Sequence, residues 1–160
     1  MAYKKRWPLA IISSIFLIFL ISILVANNQN TINEIEKSID SKEIVSINGE
    51  VIELEVVTSA DKMYQGLSGR KSLCVDCGML FKFSDSAPRS FVMRNMLIPL
   101  DIVFINEGRI VKIYKNLNPE GSNPTTLYES VFPARYVLEL NANKTDSLGL
   151  NIGDALNIND

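Results

Sequence analysis

The chain has 160 residues, 47% of them hydrophobic and 21% charged, with 16 basic residues against 18 acidic ones and no histidine. That balance is too apolar for a disordered chain, and two cysteines are too few for a miniprotein built on disulfides. The missing histidine removes the commonest general base, the Ser-His-Asp and Cys-His nucleophile systems, and every metal site that depends on imidazole.

In chain order, residues 1–6 form a short basic terminus ending in Lys4, Lys5 and Arg6. Residues 7–26 are predicted to be a transmembrane helix. From Leu9 to Ala26 there are 18 uncharged residues, interrupted only by Ser13, Ser14 and Ser22. As a helix this run is roughly 27 Å long, close to a hydrocarbon core of about 30 Å. Trp7 and Pro8 stand at the expected interface, and the uncharged Asn27, Asn28, Gln29 and Asn30 follow. The positive-inside rule then keeps the amino terminus in the cytoplasm and sends the rest across the cell membrane. A cleaved signal is the rival reading, but a cut after Ala26 would put Leu24 at the −3 position, where a small residue is needed. An uncleaved single-pass anchor is therefore expected, with the lipid bilayer as its partner.

Residues 27–42 read as a polar stalk. Beyond Ala26 there are 13 basic residues against 18 acidic ones, a net charge of −5. An acidic exported domain argues against nucleic acid as a partner.

The compact domain is expected over residues 43–160. Ile44–Ile47 and Val51–Val57 flank Asn48-Gly49, a type I′ hairpin dipeptide. Thr58 or Ser59 caps a short helix through Tyr64, and Gly66 stops it. Further β-type runs cover Gly78–Phe83, Arg89–Arg94, Leu100–Ile105 and Arg109–Lys115, the last two joined through Asn106-Glu107-Gly108. After the loop marked by Pro119, Gly121 and Pro124 come a strand at Tyr136–Leu140, a short helix at Asn143–Gly149 and a last strand through Ile158. The fold class is α+β, mainly antiparallel β with two short helices, preceded by the transmembrane helix.

Gly66-Leu67 and Arg70, Gly78-Met79-Leu80-Phe81 with Phe83, Phe91-x-Met93-Arg94-Asn95 running into Ile98-Pro99-Leu100-Asp101-Ile102-x-Phe104, Tyr136-Val137-Leu138-Glu139 and Gly153-Asp154 resemble the family called domain of unknown function 192 over about residues 43–158. The resemblance implies an exported or membrane-anchored protein and no established reaction. Where the family usually reads Phe-Trp-Met-Lys-Asn-Thr, this chain has Phe91-Val92-Met93-Arg94-Asn95-Met96. Val92 for tryptophan removes a stacking surface, and Arg94 for lysine favours bidentate contact with a carboxylate or phosphate.

Cys74-Val75-Asp76-Cys77 is a C-x-x-C pair lying before a strand, unlike a thioredoxin site, and it lacks two further zinc ligands. A local disulfide is the expected state outside the cytoplasm. Met79, Met93 and Met96 read as core fillers rather than soft-metal ligands, and Gly153-Asp154 as a turn, so no metal and no cofactor are assigned. Arg70, Arg94, Asn95, Asp101 and Glu139 are the candidate ligand-binding residues, with no catalytic residue assigned. As structural groups, Asp101 is expected to accept backbone hydrogen bonds at the turn after Pro99, and Glu139 to pair with Arg94 or Arg70. The function expected is a binding module at the cell envelope for a small molecule or an envelope protein. The alternative is a glycosidase-like hydrolase using Asp101 and Glu139 as its carboxylate pair.

Overall fold

A computed structural model describes residues 19–29, 41–156 and 158. The chain divides into two units, residues 1–39 and 40–160. In the first, residues 19–29 are helical and exposed, among them Phe19, Ile21, Leu24 and Val25. Most of the anchor expected at 7–26 and of the stalk at 27–42 lies outside the described residues, among which no helix is long and apolar enough to cross a membrane.

The second unit is a mixed sheet of six strands. In chain order its elements are β1 (Ser41–Ile47), β2 (Glu50–Val57), α1 (Ala60–Gln65), β3 (Cys77–Ala87), β4 (Ser90–Phe91), β5 (Leu100–Asn106), β6 (Arg109–Leu117), β7 (Tyr128–Glu129), β8 (Ala134–Asn141) and α2 (Lys144–Ser147). The sheet order is β1-β2-β3-β8-β5-β6, while β4 and β7 form a separate two-stranded ribbon. The α+β class and the predominance of antiparallel pairing agree with the sequence reading, with one parallel pair, β2 with β3. That pair exists because α1 and the disulfide loop carry the chain back to the end of the sheet where β2 began, as a crossover must.

The turn residues explain the hairpins. Asn48 and Gly49 both have positive φ, at 50° and 88°, as a type I′ turn requires. Glu107 and Gly108 repeat the pattern at 49° and 68°, giving a two-residue turn rather than the three-residue connection expected.

Other elements differ from expectation. The run at 89–94 is a strand only at Ser90 and Phe91, with an isolated parallel bridge from Arg94 to Glu120, before the chain turns through Asn95 at φ 51°. Its partner β7 carries no alternating pattern to announce it. The last strand is reduced to a single bridge between Ala155 and Arg109 among the described residues. Gly153 and Asp154 hold it there through backbone bonds with Ile110.

Alternation along the strands gives the sheet two apolar faces. One packs Ile52, Leu54, Leu80, Val103, Leu138 and Leu140 against Leu148 and Leu150 beside α2. The other packs Met79, Phe81, Ile102, Phe104 and Val137 against Leu67, Met93 and Met96. On this second face, edge-to-face aromatic contacts run Phe81–Phe91–Phe104–Tyr114–Tyr128, and the Tyr114 hydroxyl donates to the Glu129 carbonyl at 2.9 Å. These contacts fasten the β4–β7 ribbon to the sheet.

Gly78 sits where β2, β3 and β8 approach one another. A Cβ there would lie 2.8 Å from the Glu139 carbonyl and 2.8 and 2.9 Å from the Leu140 and Leu54 side chains. Only glycine lets the central strands close.

Cys74 and Cys77 form a disulfide with their Cα atoms 5.1 Å apart. The Asn141 amide donates to the Cys74 carbonyl at 2.7 Å, and Lys144 bridges Asp76 and Glu50 at 2.8 and 2.7 Å. The loop is thus secured by side chains as well as by the bond. Because the closed loop is so short, reducing it is expected to lower stability by no more than about 2 kcal/mol in urea titrations.

Candidate functional site

The 66–70 loop and the 93–96 turn are clipped together over the second face of the sheet. The Ser68 hydroxyl donates to the Arg94 carbonyl at 2.8 Å, and the Gly69 amide donates to the Asn95 carbonyl at 2.9 Å. The Asn95 amide donates in turn to the Gly121 carbonyl at 3.1 Å. Between this clip and the sheet lies a cleft of about 280 Å³. Its walls include Tyr64 from α1, Phe81 and Phe83 from β3, and Phe91 from β4, with Val92, Arg94 and Met96 along the turn.

Glu139 of β8 is part of that lining. It stands opposite Met79 on one side and Ile102 on the other, so its carboxyl rises among apolar neighbours on the second face. The residue is 5% exposed, and Oε2 has no hydrogen-bond partner. Burial pushes its pKa up from 4.5 to about 8, against the opposing pull of the Arg70 charge. At neutral pH the carboxyl therefore keeps its proton and is a hydrogen-bond donor. Gly66 leaves room above it, since a Cβ there would stand 3.9 Å from Oε2 and 3.4 Å from the Phe81 ring.

Arg94 lies over the Tyr64 ring, its guanidinium carbon 3.7 Å from the ring centroid, and Nη2 donates to the Tyr64 carbonyl at 2.6 Å. The stack and the hydrogen bond fix the orientation of the cation.

The five candidate residues are thus dispersed. Arg94 and Glu139 share the cleft. Arg70 pairs with Glu55, its Nη2 2.6 Å from Oε2, and reaches Glu139 only through its charge. Neither arginine forms the ion pair with Glu139 that its place in an apolar strand suggested. Asn95 is exposed and shapes the turn through its backbone.

Asp101 is fully buried elsewhere, and the bonds it accepts come from more distant backbone than the turn after Pro99. Its Oδ1 accepts from the Asn116 and Asn143 amides at 2.8 and 3.2 Å, and Oδ2 from the Thr145 amide and hydroxyl at 2.9 and 2.6 Å. In the β5–β8 register Asp101 stands opposite Leu140 and Glu139 opposite Ile102, so the two carboxyls leave opposite faces of the sheet. They do not form the pair that glycoside hydrolysis needs, because the two groups must flank one bond.

Tyr64, Phe83 and Phe91 carry no functional signal in the sequence, where they read as ordinary residues of a helix or strand. The one signal is indirect: Val92, Arg94 and Met96, the three departures from the usual motif, all line the cleft.

The sequence profile of domain of unknown function 192, described as an uncharacterised family, matches residues 43–158. A crystal structure of a putative transcription regulator from Sinorhizobium meliloti 1021 is 33% identical, with a TM-score of 0.65 over 72% of this chain and 92% of that one. A protein of unknown function from Novosphingobium aromaticivorans DSM 12444 is 30% identical, with a TM-score of 0.62 over 70% of this chain and 79% of that one. No curated protein matches the chain.

Proposed function

As the chain belongs to the domain of unknown function 192 family, which supplies a fold but no reaction, we propose from the cleft itself that the domain is a small-ligand binding module. The observation that carries this reading is the buried Glu139 carboxyl, left with an unpaired oxygen in an aromatic-walled cleft. Burying such a group without a partner is costly, and a bound molecule that completes its hydrogen bonding recovers that cost. The volume suits a small ligand, near the lower end of the roughly 300 to 1,000 Å³ usual for such sites. Among the described residues no second carboxylate lines the cleft, so acid–base hydrolysis has no support there. Likeness to the protein from Sinorhizobium meliloti described as a putative transcription regulator raises DNA binding as a second reading, which the acidic surplus of this domain opposes.

The module is placed outside the cytoplasm and tethered by residues 7–26. Supporting this are the apolar run behind Lys4–Arg6, the exposed apolar side chains of residues 19–25, and the Cys74–Cys77 disulfide, a bond favoured by oxidising compartments. Thiol trapping in growing cells is expected to label neither cysteine until reductant is added. Two freely labelled thiols would overturn the location.

Ligand-observed NMR of the full chain in lipid nanodiscs against a fragment library tests the binding role. Fragments that bind are expected to be weakened in Phe83→Ala, which removes part of the aromatic wall. An empty screen, or binding indifferent to that substitution, would overturn it.

A further inference from the structure

Resting on the cleft as a binding site, we propose that its ligand class is small organic anions, carboxylates with an aryl or branched alkyl body, whose head is recognised by Arg94 and Glu139 together. Three observations lead there. First, Arg94 and Glu139 are the lining side chains that bear charge or can gain it near neutrality, and they belong to one cavity. Second, Arg94 is already oriented by its stack on Tyr64 and its bond to the Tyr64 carbonyl. A guanidinium carries five N–H donors, so that bond leaves capacity for a carboxylate. Third, Glu139 lines the same cavity, and its Oε2 is buried and unpaired.

The charge state selects among ligands. Met79 from β3 and Ile102 from β5 flank Glu139 in register, Phe81, Met96, Tyr64 and the Arg94 cation line the same cavity, and the charge that acts on its carboxyl is that of Arg70, itself paired to Glu55 on β2. The cavity thus holds one cation, Arg94, and a carboxyl that burial keeps protonated at neutral pH. A cation entering this cleft meets Arg94 and a neutral acid, whereas an anion meets a guanidinium and an O–H donor. The aromatic walls of Phe81, Phe83 and Phe91 take the apolar body.

Three probes of one shape and different charge test the assignment: phenylacetate, phenylacetamide and phenethylamine, each titrated by NMR against the full chain in nanodiscs between pH 6 and pH 9. Phe83→Ala, which removes part of the aromatic wall, serves as the control for partitioning into lipid. Phenylacetate is expected to bind at least tenfold tighter than phenethylamine at pH 6.5, and to weaken as pH rises through about 8, where Glu139 loses its proton. Glu139→Gln keeps an N–H donor and is expected to bind phenylacetate without that pH dependence, while Arg94→Gln loses the preference for the anion. A preference for the amine or the amide, or phenylacetate affinity that rises with pH, overturns the ligand class while leaving the cleft as a binding site. Failure of all three probes, together with an empty fragment screen, overturns the cleft as well.

Discussion

Asp101→Ala is expected to lower the unfolding free energy of the domain by about 4 kcal/mol, a large fraction of the roughly 5 to 15 kcal/mol that native domains possess. The carboxylate accepts the backbone amides of Asn116 at the end of β6 and of Asn143 and Thr145 around α2, besides the Thr145 hydroxyl. Truncation leaves those donors without their acceptor, the Thr145 amide and hydroxyl fully buried and the Asn116 and Asn143 amides partly so, and each buried unsatisfied group costs roughly 1 to 3 kcal/mol. Asp101→Asn keeps the shape but turns an NH₂ group toward N–H donors, so it is expected to lose about half as much or more. Thr145→Val removes only one hydroxyl partner and should cost about 1 kcal/mol. Urea denaturation of the three variants measures the series. A loss below about 1 kcal/mol for Asp101→Ala would mean that the carboxylate does not organise this corner of the fold.

That corner shows what a sequence conveys. The strands carrying strict alternation or continuous apolar runs, β2, β5, β6 and β8, were legible because the pattern of burial is written locally. Asn48-Gly49 and Gly66 were legible for the same reason, since positive φ restricts residue type. The parallel pairing of β2 with β3 and the brief β4–β7 ribbon depend on contacts between distant segments, and two-residue strands have no period to detect. Site residues followed the same division. Arg94 and Glu139 stand out as polar residues within apolar motifs, but the register that separates Glu139 from Asp101 across the sheet is a tertiary fact. A shift of one residue in that pairing would have put both carboxyls on one face.

Glu139→Gln is expected to make the domain more stable than the parent above pH 8 by roughly 3 to 5 kcal/mol relative to their difference at pH 4. The sign follows from proton binding. Burial raises the carboxyl from 4.5 to about 8 in the folded protein, so between those values the folded state holds a proton that the unfolded chain has released. Stability of the parent therefore falls with rising pH across this window, by at most about 1.4 kcal/mol per pH unit, and levels off once the folded carboxyl also ionises. Its contribution is fully retained below pH 4.5 and is lost as pH approaches 8. Glutamine is uncharged throughout, so the variant lacks this slope, whatever fixed offset the new amide introduces. Subtracting the two urea titration series from pH 4 to pH 9 cancels every other ionisable group and isolates Glu139. Parallel curves would show that the carboxyl ionises as freely in the folded domain as in the unfolded chain, and that the cleft holds no proton at neutral pH. Removing the opposing charge with Arg70→Gln should extend the falling region to higher pH, because Arg70 draws the folded value down. An unchanged upper limit in that variant would place the guanidinium, already paired with Glu55, too far away to act on the carboxyl.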